Sequence, residues 1–331
     1  ACCQTGDGVT KMQERTKADV MKNIKGKAID MSAKNAQVSA TTFRKAKELI
    51  QQNLSEEQRN KLRLEKITIN KAYGQLKNQE KRQDLLSKAV ISNVQFRDNI
   101  QLFEGDFEER GKDIRDNSID LIFTDPPHNR GWLPFYEPLG KIAIRLLKEG
   151  GSLVMYAGHY ALPQIFHYME NSGLRFWWVI MVKHTGSSAR MFSKNVIVTY
   201  KPLLWFTKGD KPKTFEFIKD SVESERPDKR LHPWTQSIDE PEYIISNLTN
   251  PNDDVLDPLM GTGTTAIAAI KLKRRFVGIE KNADTLAIAR HRISQILYSD
   301  QNPEQAPVTR DGKLDDKRDN FAGKITAKKL R

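Results

Sequence analysis

The chain has 331 residues, with 54 Lys and Arg against 42 Asp and Glu for a net charge of +12, and 38% hydrophobic residues. That apolar content supports one large domain or two modest ones and argues against a wholly disordered chain. No apolar run reaches the roughly 18 residues needed to span a bilayer, and the start lacks the charged-then-apolar layout of a signal peptide.

The composition therefore reads as a soluble intracellular protein inclined towards polyanions. Cys2 and Cys3 are adjacent and cannot staple a fold, and six scattered histidines lack cysteine partners at zinc spacing. Neither a metal nor a disulfide framework is expected. The first residue is Ala1 rather than Met, which reads as a processed product or a piece of a longer protein.

Residues 1–90 carry 19 basic and 10 acidic side chains, most of the surplus, and residues 10–90 contain no proline. Their sparse apolar residues, such as Phe43, Ala46, Leu49 and Ile50, fall at helical spacing and predict several short helices. Ser39 is placed to cap a helix from about Ala40 to Gln52, and Ser55 with Gln58 fits a capping box for the next. KAIDMSAKNAQVSATTFRKAKELI thus parses as helix, short turn, helix, with Thr41, Thr42, Arg44, Lys45 and Lys47 near the start of the second. That is the layout of a helix-turn-helix reader of the major groove, although Lys-rich helices also serve simply to solvate a surface. Through LSEEQRNKLRLEKITINKAYGQLKNQEKR the segment resembles the helix-turn-helix region of ParB-type partition proteins.

From residue 91 the texture changes to short apolar runs separated by helical stretches. Strands are predicted at 100–105, 118–124, 151–158, 174–182, 196–206, 254–257 and 275–280, with helices such as PLGKIAIRLLKEG and GTTAIAAIKLKR between most of them. Near-continuously apolar strands alternating with helices predict an α/β fold whose mostly parallel sheet is covered on both faces. The runs at 174–182 and 196–206 lack an intervening helix and predict an antiparallel edge pair. Residues 207–232 read as an exposed insertion and 299–331 as a disordered polar tail.

TDPPHNRGW follows directly on the strand at 118–124. Two prolines lock the backbone and remove two donors, so Asp125 and the Pro126 carbonyl offer acceptors in one place. An exocyclic amine of a nucleobase supplies matching N–H donors, and the adjacent His128 offers a flat ring to stack on a base taken out of its duplex. Alone, Asp-Pro-Pro would be only a strand-terminating loop.

Further on, DVLDPLMGTGTTAIAAI places a strand, Asp257, Gly261 and Gly263, then a helix from near Thr264. Glycines admit a close ligand, and the helix N-terminus presents free N–H groups. The turn lacks the Gly-Lys-Ser/Thr ending of a P-loop, so nucleoside triphosphate hydrolysis is disfavoured. Gly261, Gly263 and Ala266 satisfy G-x-G-x-x-A, and Glu280 ends the next strand where an acid holds ribose hydroxyls, so a dinucleotide or another adenosine cofactor fits. After RFVGIE only one helix, about 282–297, and the tail remain. The rest of the sheet must come from earlier sequence: in a circularly permuted sheet IQLFEGD follows RFVGIE, bringing Asp106 to the crevice, and SIDLIFTDPP lies beside DVLD across the switch point.

With both motifs in hand, residues 95–297 resemble an S-adenosylmethionine-dependent DNA amino-methyltransferase of the adenine-N6 and cytosine-N4 family, and DPPH before DPLMGTGTT is the order of its beta class. The resemblance implies a Rossmann-like methyltransferase fold over 91–298, with a target-recognition insertion at about 183–232, preceded by a small helical domain over 1–90. It puts Asp257, Pro258, Gly261, Gly263 and Thr264 in the methyl-donor loop, Glu280 on the ribose, Asp106 near the cofactor adenine, and Gln236 and Ser237 in further cofactor contacts. Asp125, Pro126, Pro127 and His128 match the catalytic DPPY turn, with His128 in place of the usual Tyr; Leu259 and Met260 stand where Phe and a small residue are more common. The leading Asp, where cytosine-N4 members typically have Ser, favours adenine. Lys183, Arg190 and Lys194 are candidate phosphate contacts, double-stranded DNA is the implied partner, and a homodimer is the candidate assembly. No cysteine lies near these motifs, which argues against cytosine-C5 chemistry with its thiolate nucleophile.

Overall fold

The computed structural model describes residues 39–51, 56–63, 68–91, 96, 98–127, 130–184, 189–213, 217–224 and 238–301. The chain divides into two units, Ala1–Asp84 and Leu85–Arg331.

In the first unit α1 (Ala40–Gln51) begins as expected after Ser39, whose hydroxyl accepts the Thr42 N–H at 3.1 Å. Helix α2 (Glu56–Arg63) follows, and α3 (Ile69–Ile91) is capped by Thr68, which accepts the Lys71 N–H at 3.2 Å. Leu49, Ala72 and Leu76 form a small core flanked by Ile69 and Tyr73. Tyr73 donates to Glu48 at 2.8 Å, tying α1 to α3. The first helix of the expected helix-turn-helix pair, Ser55 of the expected capping box and the tail 302–331 lie outside the described residues.

The second unit is built on an eight-stranded sheet. Its strands are β1 (Ile100–Glu104), β2 (Ile119–Thr124), β3 (Leu147–Tyr156), β4 (Arg175–His184), β7 (Tyr200–Thr207), β8 (Ser221–Ser224), β9 (Asp254–Asp257) and β10 (Arg275–Glu280). The order is β1-β10-β9-β2-β3-β7-β4-β8. β1 pairs in parallel with β10 and β2 in parallel with β9, so the permuted sheet is as its motif order required.

Side chains alternate between two cores, which is why the strands are apolar almost throughout. Val154 and Tyr156 of β3, Leu203 and Trp205 of β7 and Val255 of β9 face helices Asp239–Leu248, Thr264–Lys271 and Ala283–Gln301. Leu153, Met155, Leu204, Phe206 and Leu256 face helices Tyr136–Leu146 and Leu162–Asn171. None of the described helices is long and apolar enough to cross a membrane.

Two details differ from expectation. The apolar run at 196–206 is not one strand: β6 (Val196–Val198) leaves the sheet and pairs with β5 (Ala189–Met191) as a separate antiparallel ribbon, and only β7 joins the main sheet. Val196 and Ile197 are 51% and 59% exposed, so apolar character here is not tied to a core. β7 pairs antiparallel with β4 as expected, but the margin is taken by β8, drawn from the segment read as an exposed insertion. Among the described side chains of β8, Val222 alone is buried, too short a pattern to be read as a strand.

Candidate active site

β1, β10, β9 and β2 run parallel, so their carboxyl ends meet at one edge. The chain leaves β9 towards β10 and leaves β2 towards β3, and between these diverging connections lies the crevice where open α/β sheets bind ligands.

The loop after β9 is braced from below. Asp257 accepts the Leu259 N–H at 3.1 Å and the Thr265 hydroxyl at 2.6 Å, and Met260 N–H reaches the Ile279 carbonyl of β10 at 3.0 Å. Gly278 of β10 makes room for this descent: a Cβ there would stand 2.3 Å from Met260 Sδ. The larger Met260 of this loop is therefore accommodated by a glycine in the facing strand. Gly261 and Gly263 hold φ of +53° and +82°, backbone that other residues adopt only with strain. Glu280 takes the Gly261 N–H on one oxygen at 3.1 Å and the Asn282 N–H on the other at 2.8 Å, fixing the acid beside the loop.

Asp125, Asp257, Gly261 and Thr264 line one cavity of about 250 Å³, with Phe123, Tyr156 and Thr285. Burial pushes the Asp257 carboxyl up to about 6, partly offset by hydrogen bonds from Thr265 and Leu259, while the Asp125 charge adds to the rise. Pro126 is buried and Pro127 half-buried beside it. Asp106 is not among the cavity's lining residues; it stands at the end of β1, accepting the Glu108 N–H and pairing with Lys281, each at 3.0 Å. His128, Gln236 and Ser237 lie outside the described residues.

Three residues not anticipated from sequence are linked to Asp125, and one of them, Tyr156, also lines the cavity. Lys201 of β7 bonds both oxygens of Asp125, Tyr156 lies beneath its ammonium, and the Tyr156 hydroxyl donates to buried Glu240. A charged residue interrupting the apolar run at 196–206 was the available signal. Among the candidate nucleic-acid contacts, Lys183 is exposed and 3.7 Å from Glu223, and Arg190 and Lys194 are exposed around the β5–β6 ribbon with Phe192 between them. In the first unit Thr41 and Arg44 are exposed, whereas Thr42 belongs to the Ser39 cap and Lys45 bonds Asn70 at 2.8 Å.

Sheet order and crevice define a Rossmann-like α/β protein of the methyltransferase type. The cytosine-N4-specific PvuII DNA methyltransferase shares this fold with a TM-score of 0.52 at 17% identity, over 61% of this chain and 92% of that one. Residues 119–291, more than half of the chain, match the N6/N4-type DNA methylase family, and the chain belongs to that family. Among its relatives are the type II methyltransferase M2.LlaDCHI of Lactococcus lactis subsp. cremoris, 22% identical over 60% of this chain and 91% of the relative. M.BglII of Bacillus subtilis is 27% identical over 57% and 67% respectively.

Proposed function

We propose that this DNA methylase moves the methyl group of S-adenosylmethionine onto the exocyclic amine of a DNA base, adenine N6 in preference to cytosine N4, with the beta-class order of motifs. The observation that carries it is the shared cavity: the acceptor turn at Asp125 and the glycine loop at Gly261 face one space. The preference for adenine rests on the Asp that leads the Asp-Pro-Pro turn.

The residues present suit the methyl donor. A Cβ on Gly261 would meet nothing within 4 Å, so a ligand can approach the loop backbone there. Glu280, with one N–H already on each oxygen, keeps further lone pairs for ribose hydroxyls. Asp257, Pro258, Gly263 and Thr264 shape the same loop, and Asp106 stands two residues past β1, in register with β10, on the side assigned to the adenine. S-adenosylmethionine, when bound, supplies a methyl group on a positively charged sulfur.

Asp125 and the Pro126 carbonyl accept the two N–H groups of the target amine and aim its lone pair. A donor held by the glycine loop and Glu280 would supply its methyl group to that lone pair, and the methylated amine would give up one proton to water. Positive charge passing to nitrogen is stabilised by the Asp125 carboxylate, so catalysis is positional and electrostatic. Pro127 follows in the same turn, and stacking on the base is the role proposed for His128. Nucleoside mass spectrometry of DNA from cells expressing the chain should show N6-methyladenine; N4-methylcytosine would reassign the base, and neither would reject the reading.

The basic N-terminal helices, ParB-like in pattern, are proposed as a second grip on double-stranded DNA, with Thr41 and Arg44 on the exposed side of α1. Deleting residues 1–90 should weaken DNA binding and flatten its salt dependence, because fewer counterions are released. Calorimetry should find methyl-donor binding unchanged, and an unaltered salt slope would exclude this role.

A further inference from the structure

Lys201 is a cation built into an apolar strand. Leu203 and Trp205 on the same face of β7 are buried in the core, while the lysine side chain is 26% exposed beside Asp125, which lines the cavity. Its ammonium lies 3.1 and 3.2 Å from the two Asp125 oxygens and 4.0 Å from the centre of the Tyr156 ring. That ring is buried and its hydroxyl donates to the carboxylate of Glu240, itself buried at the start of helix Asp239–Leu248. A phenol donating to a carboxylate gains electron density on its ring, which strengthens the attraction for a cation above it. Lys201 is thus fixed from below by Tyr156 and from the side by Asp125.

The near-equal distances place the ammonium between the two oxygens. A carboxylate offers about four lone-pair sites, more than a single ammonium occupies. Asp257, Tyr136 and Tyr156 also face Asp125, and the Asp257 carboxylate repels it. Lys201 supplies the opposing charge.

We infer that Lys201 is a positioning residue for methyl transfer: it locks the orientation of the Asp125 carboxylate and keeps it anionic, so that the carboxylate meets the target amine at a fixed angle. The inference rests on the reading that Asp125 receives that amine. It assigns Lys201 no proton transfer and no contact with the methyl group.

Lys201→Met and Lys201→Arg test it by two readouts. In single-turnover transfer the Met variant should be slowed about 100-fold, the effect of a reacting group held about an ångström out of place, with KM for DNA nearly unchanged. The acid limb of its pH–rate profile should move to higher pH, since a carboxylate without its cation binds protons more tightly. Lys201→Arg should recover most of the rate. Independently of activity, carbon-13 titration of the Asp125 carboxyl in the chain without cofactor or DNA should show its midpoint raised in the Met variant and restored in the Arg variant. If the Met variant does not fold, Lys201→Gln, of similar length and polar, must show the same two changes. Wild-type rate with an unmoved Asp125 titration overturns the inference. A wild-type chain inert on every DNA overturns the proposed reaction instead, while the carboxyl titration still decides whether Lys201 controls Asp125.

Discussion

Replacing Asp125 by Ala reduces methyl transfer to DNA by at least about 10²–10³-fold, the usual cost of removing one preorganised group from a developing charge. Methyl-donor binding survives, because the glycine loop is braced by Asp257, Glu280 and the Ile279 carbonyl rather than by Asp125. Single-turnover incorporation of labelled methyl groups measures the first statement and a calorimetric titration of S-adenosylmethionine the second. Full transfer by the Ala variant would remove Asp125 from the mechanism. Loss of both properties would mean that the side chain holds the cavity together rather than orienting an amine.

Asp257 should leave a clear mark on stability against pH. Burial raises its carboxyl from 3.8 to about 6 in the folded chain. A folded-state value above the unfolded one means that the native state binds the extra proton between these limits. Stability from this group is therefore greatest below about 4 and is lost as pH rises through about 6, by about 3 kcal/mol in all. Asp257→Asn removes the titration while keeping an oxygen and an amide for the Leu259 N–H and Thr265 hydroxyl. The difference in unfolding free energy between the two chains should shift by about 2.4 kcal/mol in favour of Asn between pH 4 and pH 7. Denaturant melts at the two pH values measure it, and parallel curves would show that Asp257 ionises without penalty. A buried carboxylate that costs stability at neutral pH is the kind of group retained for a ligand, in keeping with its place under the glycine loop.

The legible part of the fold was the part written in local pattern. β1, β2, β9 and β10 were readable because each is a short apolar run ended by an acid, a glycine or a turn, and the late position of the glycine loop demanded a permuted sheet. The helix from Ala40 was readable from Ser39, whose hydroxyl has one close N–H to serve. Where the local pattern was weak the reading slipped. Val196–Val198 has the same apolar character as Tyr200–Thr207 yet pairs outside the sheet, and Ser221–Ser224, with Val222 alone buried among its described side chains, joins the sheet beside β4.

The candidate site divides in the same way. Asp125, Asp257, Gly261 and Thr264 were identifiable from residue type and spacing, because backbone acceptors, positive φ and a helix start leave signatures within a few positions. Lys201 and Asp125 are 76 residues apart, and nothing near either one encodes their meeting. Tyr156 and Glu240 are 84 apart, and Gly278 gives no sign by itself that Met260 will occupy the space above it. By itself the sequence determined β1, β2, β9 and β10 and their order around the switch point, since these depend on neighbours along the chain. Only the tertiary structure decided which charge faces Asp125, what supports that charge and how the glycine loop is seated, because contacts between distant segments exist only once the sheet has brought its edges together.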